Sequence, residues 1–440
     1  MLRLLDLRGS DADPAGLLPR APAADVAKAR GAVRALVDDI AERGDEAVAE
    51  AAERFDGVTA SPADWRATPD ELAAAERALT PALRAALLDA VERVREFHAA
   101  QRPPDQVWTA REGFRLGFRW VPLRRAGVYV PGGLGAYPSS VVMNVVPAQA
   151  AGVEEIALAT PPGPDGRGHP VVLAAAALLG VEEVWLLGGA QAVAALAHGT
   201  KTIPAVDSVT GPGNLYVALA KQEVASVVKV DGFAGPTEVA VLADATADPR
   251  LVAADLVAQA EHDPLAACLL VTPDADLWAA VEPLLAEEVA AARHRERIEQ
   301  SVTGPQSAVV LVDDLDAGLR VMEAWAPEHL ELLCAGAREL AGRVRSAGAV
   351  FVGPHSPVPV GDYACGTNHV LPTAGTARFT SGLSTLNFLR TMQVAELDAA
   401  ALAEIAPSID ELCAAEDLPA HGHAVRLRFP DQTPPSAGAS

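Results

Sequence analysis

The spacing of hydrophobic positions changes character several times along the chain. Between Asp25 and about Ala100 it is helical: Val26, Ala29, Val33 and Leu36-Val37 form one stripe, Gly44-Asp45 interrupts it, and a second long helix is predicted from about Pro81 to His98. His98 follows Phe97 on a charged helix and is expected on a solvated face. Residues 105–130 mix aromatic and β-branched residues with glycine, which predicts strands and turns. The last of these strands, Val128-Tyr129-Val130, runs into the glycine loop PGGLGAYPSS. Short apolar runs then alternate with Ala-rich helical ones: GVEEIALATP, HPVVLAAAALLG, VEEVWLLGG, AQAVAALAHG, VDSVTGPGN and LYVALAKQEVAS. Strands that are apolar on both faces, with helices between them, predict a parallel sheet covered on both sides. A second series follows, with AGPTEVAVLAD, a helix opening at Asp248-Pro249, CLLVTP, a charged helix from Pro283 to Ile298, and buried strands at 308–312 and 349–352. Thr160-Pro161 and Thr272-Pro273 each close a strand, a faint echo of two related halves.

The fold class predicted is α/β, with two doubly wound, incomplete Rossmann-like domains and small terminal segments. The expected division is an N-terminal arm (1–24), a first α/β domain (25–128 plus 238–382), a second (129–237), a C-terminal helical segment (383–430) that returns to helices from Thr391, and a disordered tail (431–440). Half of the 440 residues are apolar and only 4% aromatic, which suits helices on parallel sheets. A formal charge of −23 argues against a nucleic-acid or anionic-membrane partner and in favour of a small-molecule substrate. The four cysteines contain no C-x-x-C pair, so neither a zinc ribbon nor a disulfide framework is indicated, and Cys365 is read as packing. No run resembles a signal peptide or a membrane span, and a cytoplasmic protein is expected.

Candidate chemistry lies at a few points. Gln259 and His262 stand three residues apart at the end of one helix and share a face. Tyr129, Gln191 and Asn214 accompany glycines at strand ends, where open α/β sheets take ligands, although Gln191 and Asn214 also suit helix caps. In WAPEHLELL, Pro327 fits the first turn of a helix with Glu328 and His329 at its positive end. Adjacent helical residues point about 100° apart, so these two suit separate proton-transfer positions. Asp362 lies in a long loop that also carries His355 and His369. Gln259, His262, Asp362 and one of His421 and His423 offer oxygen and nitrogen without thiolate, a mixture that suits zinc in an open catalytic site and also manganese or another first-row ion.

The strings GVYVPGG, GGAQAVAAL, GPGN-x-YVALAK, AGPTEV, AQAEHD, APEHLEL, GDYACGTNHVLPT and AHGHAV, in this order over roughly residues 25–428, resemble the histidinol dehydrogenase family. The resemblance implies a zinc- and NAD-dependent homodimer that oxidises L-histidinol to L-histidine through the aldehyde, the last step of histidine biosynthesis. It implies zinc ligands Gln259, His262, Asp362 and His421, the last completing the site of the other subunit. It also implies Glu328 and His329 as acid/base pair and Tyr129, Gln191 and Asn214 around NAD. Thr237 and Glu416 are then substrate contacts, together with Gln259, His262, His329, Asp362 and His421. Two departures stand out: Ser208 where the family commonly has lysine, which leaves open any cationic contact near the cofactor phosphates, and Phe233. The rival readings are a zinc hydrolase in which Glu328 activates water, and an imidazole-binding protein without turnover.

Overall fold

The structure is a computed structural model that describes residues 2–10, 13–18, 20, 26–132, 135–232 and 235–429. The tail 431–440 and Phe233 lie outside the described residues. The chain opens on β1 (Arg3–Asp6), followed by α1 (Val26–Arg43), α2 (Asp45–Ala51), α3 (Pro69–Arg77) and α4 (Pro81–Ala99). Thr80 caps α4 by accepting from the Leu83 N–H, with Pro81 at the first helical position. The buried stripe of α4 is Leu87, Val91, Val94 and His98, so the expectation of a solvated His98 is wrong. Its spacing from Val91 and Val94 already placed it on the apolar face. The ring lies 2.8 Å from the Val94 carbonyl and 3.3 Å from the Asn368 amide, which satisfies it in the interior.

After the strands β2 (Gln106–Arg111) and β3 (Phe114–Pro122), a first alternation runs β4 (Arg125–Tyr129), α5 (Pro138–Ala151), β5 (Glu155–Thr160), α6 (Pro170–Leu178), β6 (Glu183–Leu186), α7 (Gly189–His198), β7 (Ser208–Thr210), α8 (Leu215–Val224) and β8 (Lys229–Val230). A second runs β9 (Glu238–Ala243), α9 (Pro249–Ala260), β10 (Ala267–Thr272), α10 (Ala275–Ala291), α11 (Arg295–Thr303), β11 (Ala308–Leu311), α12 (Leu315–Trp325), β12 (His329–Leu333), α13 (Ala337–Ala341) and β13 (Ala349–Val352). The helix expected from Pro283 is thus two: Pro283 lies inside α10, and the break falls at residues 292–294. The chain ends with α14 (Val358–Tyr363), β14 (Leu389–Leu397), α15 (Ala399–Ala415) and α16 (Pro419–Arg426). The helical return expected from Thr391 is corrected: Leu389–Leu397 is a strand beside β3. Its run of Leu, Thr, Val and Leu pairs in a sheet before Asp398 caps α15.

The fold is α/β. Two parallel sheets carry it, one ordered β6-β5-β4-β7-β8 and the other β1-β11-β10-β9-β12-β13, with β1 from the N-terminal arm at its edge. In the larger sheet alternate residues of β9 serve opposite cores, as strand geometry requires. Val239, Val241 and Ala243 pack beneath α9 and α10, while Ala240 and Leu242 face α12. Both sheets belong to one compact unit, Met1–Arg102 with Pro122–Phe388; Pro103–Val121 with Leu389–Ser440 form a second.

Candidate active site

The acid/base candidates stand at the amino ends of two neighbouring strands, β9 and β12, where His329 is in register with Val239. The expectation of a helix at Pro327 is overturned. Proline lacks the N–H that would continue the ladder of α12 and disfavours the right-handed helical conformation in the residue before it. Accordingly α12 stops at Trp325, Ala326 turns left-handed (φ 46°), and the chain enters β12 at His329. A strand start, not a helix dipole, sets the environment of Glu328 and His329.

Both side chains are buried and both are held by residue 238. The Glu238 N–H donates to Glu328 Oε2 at 2.8 Å, and the Glu238 carbonyl accepts from His329 Nδ1 at 2.9 Å. A carbonyl can only accept, so the imidazole proton resides on Nδ1 and Nε2 carries the lone pair. That Nε2 is buried without a hydrogen-bond partner among the described residues and lies 4.0 Å from Asp362 Oδ1. Burial lowers the His329 pKa, against the pull of Asp362 and the Glu238 carbonyl, and keeps the ring neutral. Burial also pushes Glu328 up to about 8, opposed by hydrogen bonds from Thr237 and the Glu238 N–H. Glu238 is itself pushed up to about 7 by burial, with Arg20 opposing.

Thr237 is the link that sequence reading assigned only to substrate. Its hydroxyl donates to Glu328 Oε2 at 2.5 Å and accepts from Gln259 Nε2 at 2.6 Å, so α9 and the acid/base pair are joined by one side chain. Gln259 Oε1 is left buried without a partner among the described residues. His262, just past α9 and exposed, has Nε2 3.8 Å from Asp362 Oδ2. Asp362 lies in the short helix α14 rather than in a loop, and is buried. His369 donates from Nδ1 to the Asp362 carbonyl at 3.1 Å, and its Nε2 lies 3.3 Å from the Ser140 hydroxyl, a brace not singled out from sequence. Behind them Glu331, two residues along β12 from His329, accepts from the Val358 N–H at 2.8 Å and shares a hydrogen bond with Asp255 of α9. Burial raises both of those carboxyl groups, so the pair retains a proton. Cys365, expected to be packed, is exposed and contacts Thr367 at 3.0 Å.

The donor set fits a zinc-like ion in part. Gln259 Oε1 is a buried carbonyl oxygen without a partner among the described residues, and His262 and Asp362 already approach one another. Among the described residues no three His, Cys, Asp or Glu side chains gather as a metal site, so an ion here depends on the Gln259 amide and on a ligand from elsewhere. Glu416 and His421 lie in the second unit, both exposed, at the end of α15 and on α16.

The dinucleotide candidates stand at the carboxyl ends of the smaller sheet. Its strand order reverses between β4 and β7, the place where open α/β sheets leave a ligand crevice. Tyr129 closes β4, and its hydroxyl accepts from the Gly189 N–H at 3.0 Å. Gln191, in the first turn of α7, donates to Asp56 Oδ2 at 3.1 Å, and the same oxygen accepts from the Gly188 N–H at 3.0 Å. Asp56 had no motif to mark it in the sequence. Asn214 caps α8, accepting from Tyr216 and Val217. Ser208 is buried within β7. Of the glycine loop after β4, Gly133 and Leu134 lie outside the described residues.

The sequence profile of the family described as histidinol dehydrogenase matches residues 20–429. The chain belongs to the histidinol dehydrogenase family. It is 54% identical to the histidinol dehydrogenase of Thermobifida fusca over 97% of each chain. With that of Nocardia farcinica it shares 53% identity over 97% of this chain and 98% of the relative. The crystal structure of histidinol dehydrogenase from Elizabethkingia anophelis superposes with a TM-score of 0.91 at 32% identity, covering 98% of both chains. Membership of the histidinol dehydrogenase family makes the chain an oxidoreductase of histidine biosynthesis.

Proposed function

We propose that the chain catalyses the zinc- and NAD-dependent, four-electron oxidation of L-histidinol to L-histidine through L-histidinaldehyde, as a cytoplasmic homodimer with shared active sites. The carrying observation is the buried His329 ring, whose Nδ1–H is committed to the Glu238 carbonyl while Nε2 remains free as a base beside Glu328 and Asp362. Such a neutral, oriented imidazole suits removal of a hydroxyl proton as hydride leaves the adjacent carbon. Zinc, when held by Gln259, His262, Asp362 and His421 of the other subunit, would supply a Lewis-acidic anchor for the substrate's amine and imidazole, and NAD would supply the hydride acceptor.

This chain's residues then divide the proton work. In the first oxidation His329 Nε2 takes the alcohol proton. Water must add to the aldehyde carbon before a second hydride can leave, and deprotonated Glu328 takes a proton from that water. The imidazolium gives its proton to the former carbonyl oxygen, which completes the diol and returns His329 to its neutral form. His329 then takes one hydroxyl proton of the diol as the second hydride leaves, giving the carboxylic acid, and both side chains release their protons to solvent. Since burial holds Glu328 up to about 8, its basic form grows toward alkaline pH, and the second oxidation gains most there. Glu416 would pair with a cationic nitrogen of the substrate, and Tyr129, Gln191 and Asn214 would contact NAD.

The test is the stoichiometry of NADH formed from histidinol by protein of measured zinc content. Two NADH per histidinol and one zinc per subunit are expected. Turnover without NAD would identify a hydrolase, and binding without turnover would leave only an imidazole-binding protein.

A further inference from the structure

Lys221 and Asp231 form an ion pair of 2.6 Å whose side chains are only 2% and 3% exposed. Neither residue touches the acid/base cluster in the larger sheet. Taking both charges out of water costs several kcal/mol, and apolar residues of similar volume would be as stable or more so. The pair therefore calls for a role that apolar residues cannot fill. Its other bonds supply one. Lys221 Nζ donates to the Gly211 carbonyl at 2.9 Å, and Asp231 Oδ2 accepts from the Gly211 N–H at 2.8 Å. Both polar groups of one glycine are thus gripped by one ion pair.

Gly211 sits where the chain is least able to hold itself. Its φ is +120°, a conformation that essentially only glycine adopts, and a Cβ there would fall 2.0 Å from the Tyr129 carbonyl oxygen. It is the first residue after β7, at the point where the strand order reverses, and it opens the turn Gly211-Pro212-Gly213-Asn214. The grip comes from two directions, Lys221 on α8 and Asp231 just past β8, so the turn is fixed to the elements beneath it while Asn214 stays exposed above.

We propose that Lys221 and Asp231 are positioning residues that hold the Gly211–Asn214 turn, and with it the Tyr129 strand end, in the form that receives NAD. This rests on the assignment of NAD to the smaller sheet made above. Without the clamp the turn must be ordered at the moment of binding, and affinity falls by that cost while the chemistry in the larger sheet proceeds as before.

The experiment compares the zinc-loaded wild type with Lys221→Met, Asp231→Asn and the double variant Lys221→Met/Asp231→Leu. Removing one partner leaves a lone buried charge, so the single variants are expected to lose stability; the double variant removes both charges and should recover part of it, short of the wild type because the Gly211 N–H and carbonyl lose their partners. Readouts are melting temperature, NADH affinity from nicotinamide fluorescence, and separate KM values for NAD and histidinol. The expected result is a double variant that melts above both single variants yet binds NADH about tenfold more weakly. Its KM for NAD should rise by a similar factor, with histidinol KM and zinc content unchanged; about tenfold is the loss expected for one hydrogen-bonded turn. Asp231→Asn keeps an acceptor for the Gly211 N–H and should fall between. A folded double variant with wild-type NADH affinity overturns the clamp while leaving the function intact. A zinc-loaded wild type that binds no NADH overturns both.

Discussion

Replacing Thr237 with valine tests whether one hydroxyl sets the basicity of Glu328. Valine keeps the shape but removes two bonds, the 2.5 Å donation to Glu328 Oε2 and the 2.6 Å acceptance from Gln259 Nε2. A hydrogen bond to a charged partner contributes about 1.5–3 kcal/mol net. At about 1.36 kcal/mol per pKa unit, its loss moves Glu328 up by roughly one to two units from its value of about 8. At neutral pH the deprotonated fraction then falls by about tenfold to a hundredfold, whereas near pH 10 the deficit is much smaller. The assay is the pH dependence of kcat/KM for histidinaldehyde oxidation in wild type, Thr237→Val and Thr237→Ser, with serine restoring the wild-type curve. Thr237 is also assigned a substrate contact, so a uniform drop in rate carries no weight; displacement of the rising limb toward higher pH is the evidence. A valine variant whose limb coincides with the wild type would refute the link between this hydroxyl and the carboxylate.

Glu331→Gln should flatten the loss of stability at alkaline pH. Burial raises Glu331 and Asp255, so their contribution is fully present below the unfolded carboxyl range and is lost as pH rises through the higher folded values. A glutamine keeps the acceptor for the Val358 N–H and offers an amide donor to Asp255. Melting curves between about pH 6 and 9 that fall in parallel for both proteins would count against this. His329→Asn should reduce turnover by about a hundredfold to ten-thousandfold, the range for losing a general base, while zinc content stays at the wild-type level. Loss of zinc in that variant would reassign His329 to the metal. Mixing Glu328→Gln with His421→Asn subunits should restore about a quarter of wild-type activity if His421 serves the other subunit, because half of the dimers are mixed and each mixed dimer holds one intact site. No recovery after verified subunit exchange would place His421 in its own chain's site.

The continuous apolar strands made the two parallel sheets legible, because a strand buried on both faces leaves no polar alternation to misread. Gln259 and His262 were visible through helical spacing. Glu328 and His329 were visible as residues but misplaced, since proline serves equally well to start a helix and to follow one; the left-handed Ala326 decided it. Thr237, Glu238, Asp255 and Glu331 were not legible in these roles. Each acts through a partner far away in sequence, Thr237 and Glu238 reaching Glu328 across two strands whose adjacency no local pattern reveals. His98 illustrates the reverse, a charged helix drawing attention from a buried stripe that the spacing did contain.

The two sheets share one winding order. Setting aside β1, the larger runs β11-β10-β9-β12-β13 and the smaller β6-β5-β4-β7-β8, so in each the first strand in sequence is central and the order reverses beside it. The Thr-Pro echo falls on the second strand of both, at the ends of β5 and β10. Two equivalent crevices therefore exist at carboxyl ends, and charge separates them. In the larger sheet Asp244, Asp313, Asp314, Asp316 and Glu339 line that crevice, with Arg343 as its cation. Such a field repels the phosphates of a dinucleotide. In the smaller sheet Asp231, just past β8, is buried and paired with Lys221, and Asp56 accepts from the Gly188 N–H and the Gln191 amide. The same winding thus sets an acidic crevice at the carboxyl end of the larger sheet, while the acid/base candidates Glu328 and His329 stand at that sheet's opposite, amino end.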